Sequence, residues 1–299
     1  MAHIAVLYTC FNRKEQTLSS LTGLYQSQRM YNHYAKEKIE ISVFLTDDGC
    51  TDGTANAIRD TFSDKDICII QGTGSLFWAG GMRIAWKEAM KRHDEWDFYL
   101  LLNDDTDIFA YCIVELMNTH QYCLQHYNKE GIYSGITCSK SDFNKITYGG
   151  RIIKNRFLGT WMRAMPSSTP TLVDQTNANI LLVPRHVVDQ IGIFYEGFRH
   201  GNADFDYSMQ ARRKGIPVLL TTSYCGACDN DHIPVEELNN KILAMSQEER
   251  TAFFANPLHS SADYLTFIRR NIPIKYPFTW LFRKLEENYP KIYYALNRR

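Results

Sequence analysis

The chain has 299 residues, 44% apolar and 22% charged, with 33 basic residues against 33 acidic ones. That composition supports one large α/β domain with a real hydrophobic core, plus room for a short appendage, and the zero formal charge gives no electrostatic case for a nucleic-acid partner. No run approaches the ~18 consecutive apolar residues of a membrane span, residues 1–7 lack the marks of a secretory signal, and the eight scattered cysteines are expected as reduced thiols of a cytoplasmic protein.

The first half of the chain alternates strand-like and helix-like segments. Residues 4–8 form a short apolar run, and 14–28 carry Leu18, Leu21 and Leu24 at helical spacing. Residues 39–45 read as strand, 54–62 as helix, 67–70 as strand, 82–92 as helix and 98–102 as a buried strand. This order predicts a mostly parallel sheet with helices on both faces. Ligands of such sheets bind outside the carboxyl ends of the strands. Three polar clusters fall at those ends: 9–13, 47–54 and 103–107. From about residue 135 the pattern turns to short strands, with helical segments at 185–191 and 204–214. After residue 231 it shifts again, to a charged helix (236–249) and two segments, 262–270 and 278–288, that mix aromatic with basic residues. The expected division is a domain over 1–231 and a helical extension over 232–299.

Four segments could carry chemistry. Thr46-Asp47-Asp48-Gly49-Cys50-Thr51-Asp52-Gly53-Thr54 follows a strand and opens a helix. Its carboxylates suit a base N–H or ribose hydroxyls, and equally suit helix capping. Asn103-Asp104-Asp105-Thr106-Asp107 sets three carboxylates within four residues, a repulsive cluster that a divalent cation neutralises. Hard oxygens favour Mg²⁺ or Mn²⁺ there, against the alternative of a solvated acidic turn. The stretch from Gly72 to Arg83 is glycine-rich and precedes a helix, which suits a diphosphate, or is simply a loop. In His200-Gly201-Asn202-Ala203-Asp204-Phe205-Asp206, Asp204 lies in the first turn of a helix that Gly215 stops. It is either a general base or a complement to the helix dipole. Cys225 and Cys228 form a lone C-x-x-C without a second pair, so packed reduced thiols are expected rather than a zinc site.

Taken in order, these segments resemble the family 2 glycosyltransferases over about residues 3–230. The motifs carrying the likeness are Thr9-Cys10-Phe11-Asn12-Arg13, Asp47 through Thr54, Gly80-Gly81-Met82-Arg83, Asn103 through Asp107, Asn177-Ala178-Asn179 and Asp204-Phe205-Asp206. The flavour is that of rhamnosyltransferase-like and galactofuranosyltransferase-like enzymes of bacterial surface polysaccharides. The resemblance implies a GT-A fold, a nucleotide-sugar donor (a UDP- or dTDP-sugar), a saccharide or lipid-linked saccharide acceptor, and inversion in a single displacement. It implies donor contacts from Thr9, Arg13, Asp47, Asp48, Gly81, Arg83 and Asp104, with Asp105 the ligand of Mg²⁺ or Mn²⁺. Asp107 and His232 are further metal candidates, Asp204 is the base, and Trp161, Asn179 and Asp206 face the acceptor. Two departures stand out. Ala203 precedes Asp204 where the family often has Glu, and Cys228 lies near the position of a metal-binding His, with His232 four residues on.

The aromatic and basic tail fits either a membrane interface or a cover for the domain. Two other functions share such a scaffold. A nucleotidyltransferase should show a basic, glycine-rich N-terminal loop, which 11–14 lacks. A non-catalytic sugar-nucleotide-binding protein should have lost the metal acids or the base, yet Asp105 and Asp204 are present.

Overall fold

The computed structural model describes residues 1–230, 233–259 and 261–297; His232, an expected metal candidate, lies outside them. The elements in chain order are β1 (Ala2–Cys10), α1 (Lys14–Tyr34), β2 (Ile39–Asp47), α2 (Thr54–Thr61), β3 (Ile67–Gln71), α3 (Phe77–Ala89), β4 (Phe98–Leu102), β5 (Asp107–Ile108) and α4 (Cys112–Tyr127). There follow β6 (Ile132–Cys138), β7 (Gly150–Asn155), β8 (Thr160–Arg163), β9 (Thr171–Leu172), β10 (Gln175–Thr176), β11 (Ile180–Pro184), α5 (Arg185–Ile191), α6 (Ala203–Arg213) and β12 (Val218–Ala227). Among the described residues, five α-helices follow: α7 (Val235–Ala244), α8 (Gln247–Ala255), α9 (Ser261–Asn271), α10 (Tyr276–Asn288) and α11 (Pro290–Asn297).

The main sheet runs β3-β2-β1-β4-β11-β6-β12-β5. Strands β3, β2, β1 and β4 are mutually parallel, and β11 joins them antiparallel to β4. Strands β6 and β12 are parallel to each other. A second sheet, β10-β7-β8, lies beside it.

Side chains alternate across the main sheet, and both faces are covered. Ile4, Val6 and Tyr8 point into the core under α1 and α4, while Ala5 and Leu7 point into the core under α3 and α6. Leu100 and Leu102 against Tyr99 and Leu101 repeat the pattern in β4. Burial on both faces is why these strands read as continuous apolar runs. Trp86 of α3 is fully buried and meets the rings of Tyr99, Phe194 and Tyr207 at 5.5–5.7 Å. It thereby locks α3 to the sheet and to α6; truncation to Ala costs about 3–5 kcal/mol by core precedent.

Helix α3 starts at Phe77, five residues earlier than the sequence pattern predicts. Gly80 and Gly81 lie inside it instead of in a preceding loop. The reason is close approach: a Cβ on Gly81 would lie 2.0 Å from Thr9 Oγ1. Thr46 Oγ1 also donates to the Gly81 carbonyl at 2.9 Å. Among the described residues, no helix is long and apolar enough to cross a membrane.

Candidate active site

The carboxyl ends of β1, β2 and β4 converge on one edge of the sheet. At the end of β2, Asp47 is buried, and its Oδ1 accepts from Cys50 N at 2.7 Å, turning the chain. Asp48, also buried, organises the next loop. Its Oδ1 accepts from Gly74 N at 2.8 Å, and its Oδ2 from Leu76 N at 2.9 Å and Phe77 N at 3.2 Å. Gly72 is required there, because a Cβ would lie 2.7 Å from Asp48 Oδ1. Phe77 holds φ +57°, a left-handed conformation uncommon for an aromatic residue, and its bond to Asp48 helps hold it there. Asp52 ties its own loop after β2 to α1 and α2, accepting from Lys14 N at 2.9 Å and from Thr54 N at 3.1 Å. Both Asp48 and Asp52 thus use their oxygens on backbone N–H groups.

The other donor-side residues have defined partners. Thr9 lies beneath α3 against Gly81. Arg83 donates to Phe198 O at 2.6 Å and Tyr195 O at 3.2 Å. Its guanidinium therefore fixes α3 to the segment ahead of α6.

Strand β4 delivers Asn103, Asp104 and Asp105 to the edge. Asn103 Oδ1 accepts from Trp78 Nε1 at 2.8 Å. Arg13 stands against both acids, 3.4 Å from Asp104 Oδ1 and hydrogen-bonded to Asp105 Oδ2. Asp104 is 6% exposed, and its buried Oδ2 has no hydrogen-bond partner among the described residues. Burial pushes its carboxyl up to about 7, with the Arg13 charge opposing and Asp105 adding to the rise. Cys228 Sγ donates to Asp105 Oδ1 at 3.5 Å; burial and the Asp105 charge push that thiol up to about 12. Asp107 faces elsewhere, pairing with Lys140 at 2.9 Å and accepting from Ser19 Oγ at 3.0 Å.

Two adjacent carboxylates, one with a buried oxygen that no described residue bonds, fit a hard divalent cation. Cys228 Sγ lies beside them. Among the described residues, the trio whose ligand atoms lie within 4.8 Å of one another is Cys10, Asp47 and Cys50, at the ends of β1 and β2. Its two sulfurs share a hydrogen bond at 3.7 Å, in keeping with packed, reduced thiols. All eight cysteines are free.

The opposite wall is built by α6. Asn202, at φ +63°, turns the chain into the helix, and Asp204 follows at 8% exposure. Asp204 Oδ1 accepts from Phe205 N at 2.8 Å; Oδ2 accepts from Ala178 N at 3.3 Å and Asn177 Nδ2 at 3.5 Å. Burial pushes this carboxyl up to about 6, opposed by the two N–H groups and by the charge of Arg151. Arg151 comes from β7, its guanidinium held between the rings of Trp161 (4.0 Å) and Phe205 (4.2 Å). Asp206 turns away, accepting from Arg270 Nε at 2.9 Å and Asn271 Nδ2 at 2.7 Å of α9.

The segment 177–179 joins the two walls. Asn177 and Ala178 donate to Asp204, while Asn179 Nδ2 approaches Cys228 Sγ at 3.7 Å, and Cys228 donates to Asp105. The segment thus contacts Asp204 directly and Asp105 through Cys228. Sequence reasoning singled out Asp104, Asp105, Asp204 and Asn179, which this arrangement brings together. It missed Arg151, which stands in a short strand with no signal of its distant partner.

No protein-family model matches the chain, and no curated protein does. Among solved structures, it is similar to the mannosyltransferase PcManGT from Pyrobaculum calidifontis in complex with GDP-Man and Mn²⁺. The TM-score is 0.51 at 15% identity, covering 94% of this chain and 74% of that one. It is similar to S. aureus TarS 1-349 at TM-score 0.52 and 12% identity, covering 96% and 74%. With the same protein in complex with UDP-GlcNAc the figures are 0.51 and 14%, covering 91% and 73%. At these identities the likeness establishes the fold, which is GT-A.

Proposed function

We propose that this protein is an inverting glycosyltransferase of the family 2 type, moving a sugar from a nucleotide-diphosphate donor to a hydroxyl of a saccharide or lipid-linked saccharide. The observation that carries the reading is the run of contacts from the buried Asp204 through 177–179 and Cys228 to Asp105, the neighbour of Asp104. Two acid centres would take different tasks, and their surroundings differ accordingly: Arg13 stands against one and Arg151 near the other. The fold likeness to proteins solved with GDP-Man and Mn²⁺ or with UDP-GlcNAc adds support.

The nucleotide lies along the ends of β1 and β2, near Thr9, Arg13 and Asp47. Asp48 acts there as the organiser of loop 72–77. Asp104 and Asp105, with Cys228 beside them, would hold Mg²⁺ or Mn²⁺, which would supply positive charge next to the leaving diphosphate. Arg13 shares that task through the same two acids. Asp204 accepts the proton of the acceptor hydroxyl, and the oxygen then attacks the anomeric carbon as the diphosphate departs. A carboxyl near 6 is ionised at neutral pH and basic enough to accept that proton. Trp161 and Arg151 line the acceptor side. Transfer from a UDP-, dTDP- or GDP-sugar to a hydroxyl acceptor, dependent on the cation and on Asp204, is the test. Release of free sugar to water alone, with no acceptor product, would contradict the reading.

The enzyme works at the cytoplasmic face of a membrane in this account. Phe278, Trp280 and Leu281 of α10 are 46–66% exposed, with Lys275 and Lys284 close by in sequence. Such a face suits an anionic lipid surface. The full chain should co-sediment with vesicles containing anionic lipid, and Trp280→Ser with Leu281→Ser should abolish this; unchanged binding of that variant would contradict docking through α10.

A further inference from the structure

Helix α9 belongs to the C-terminal extension, yet it grips the chain on both sides of Asp204. Its Asp263 is 6% exposed and receives three consecutive backbone N–H groups. Arg199 N reaches its two oxygens at 3.0 and 3.3 Å, His200 N donates at 2.6 Å and Gly201 N at 2.9 Å. Successive N–H groups converging on one carboxylate form an anion nest. Two helical turns further along α9, Arg270 and Asn271 hold Asp206. The segment between these anchors carries Asn202 and Asp204.

The same nest segment touches the donor-side loop. Arg199 Nη2 donates to Ser75 O at 3.3 Å, and its guanidinium lies 5.2 Å from the centre of the Phe77 ring. His200 meets that ring edge-on at 6.3 Å, and Gly80 N donates to Arg199 O at 3.3 Å. Residues 199–201 thus stand between loop 72–77 and the mouth of α6. Backbone turned inward to a side-chain carboxylate cannot choose its own path, so the carboxylate sets where Asp204 begins.

We propose that Asp263 is a positioning residue of the transfer reaction: by holding the N–H groups of 199–201 it fixes Asp204 opposite the donor. The proposal rests on the glycosyltransferase reading above. It gives α9 a task that covering the core would not require, since both carboxylate oxygens of Asp263 accept from this segment.

The test uses the full chain with Asp263→Ala and Asp263→Asn, kept below their melting temperatures. A misplacement of about 1 Å at a reacting centre lowers the rate about 100-fold. Asp263→Ala should therefore lower kcat/KM for the acceptor by about that factor, while donor-nucleotide affinity stays within about twofold of wild type. Formate or acetate at millimolar concentration should refill the nest and restore activity to Asp263→Ala severalfold, without effect on wild type. Asp263→Asn, which keeps one acceptor oxygen, should fall between and supplies the reading if Asp263→Ala does not fold. Wild-type transfer rates in both variants would overturn the inference and leave the glycosyltransferase reading standing. So would equal losses of donor affinity and rate with no rescue, the signature of a merely structural carboxylate. A wild-type protein that transfers nothing would overturn both.

Discussion

Asp204→Asn separates the energetic cost of the buried carboxylate from its use. Burial raises this carboxyl from 3.8 to about 6. Between those values the folded chain holds the proton and the unfolded chain has lost it. The stability this provides is complete below the unfolded value and is lost as pH rises through about 6. Between pH 4.5 and 7.5 the wild type should therefore lose about 2 kcal/mol that the Asn variant does not lose. The amide is not a free replacement, because its NH₂ must face Ala178 N and Asn177 Nδ2, the weaker of the present contacts. That mismatch costs about 1–2 kcal/mol, but it is the same at both pH values and cancels in the difference. Urea denaturation of both proteins at the two pH values measures the stability, and initial rates of sugar transfer measure the chemistry. The variant should lose about 100- to 10,000-fold in rate at pH 7.5, and the wild-type rate should climb with pH through about 6. A stability difference that is the same at both pH values would refute the burial argument. A variant that transfers at the wild-type rate would refute the assignment of the base.

The same geometry sets other outcomes. Asp48→Ala leaves three backbone N–H groups without their acceptor; stability should fall by about 1–3 kcal/mol and nucleotide affinity by about tenfold or more, with Mn²⁺ binding unchanged by calorimetry. Gly81→Ala forces a Cβ to within 2.0 Å of Thr9 Oγ1, so β1 and α3 must part; urea denaturation should show a loss of about 1–3 kcal/mol, part of it recovered by adding Thr9→Ala.

The strand-end acids were readable because each is fixed by its own neighbours. An apolar strand ending in Asp47-Asp48 or Asn103-Asp104-Asp105 presents those acids at the sheet edge wherever the strand falls in the sheet. What each acid does there is not local. Asp48 is taken by N–H groups of 74–77, a contact that exists only because β3 returns beside β2. The start of α3 was misread for a similar reason: Gly80-Gly81 looks like a loop until Thr9 is set against it. Arg151 reaches Asp204 from a different sheet, and Asp263 reaches 199–201 from 62–64 residues away. No periodicity or turn chemistry encodes such pairs. Of the C-x-x-C pair, Cys225 is buried in the core under α4 while Cys228 turns to Asp105, a division that local spacing does not encode.

The central claim is a cation-dependent donor site at the ends of β1, β2 and β4. The most direct measurement is the melting temperature with UDP, dTDP, GDP and CDP, each with and without Mn²⁺, for wild type and Asp105→Ala. A ligand that binds only the folded state raises its stability by mass action. The account predicts stabilisation by one diphosphate that requires Mn²⁺ and disappears in Asp105→Ala. No response to any diphosphate, or an equal response in the variant, would contradict it.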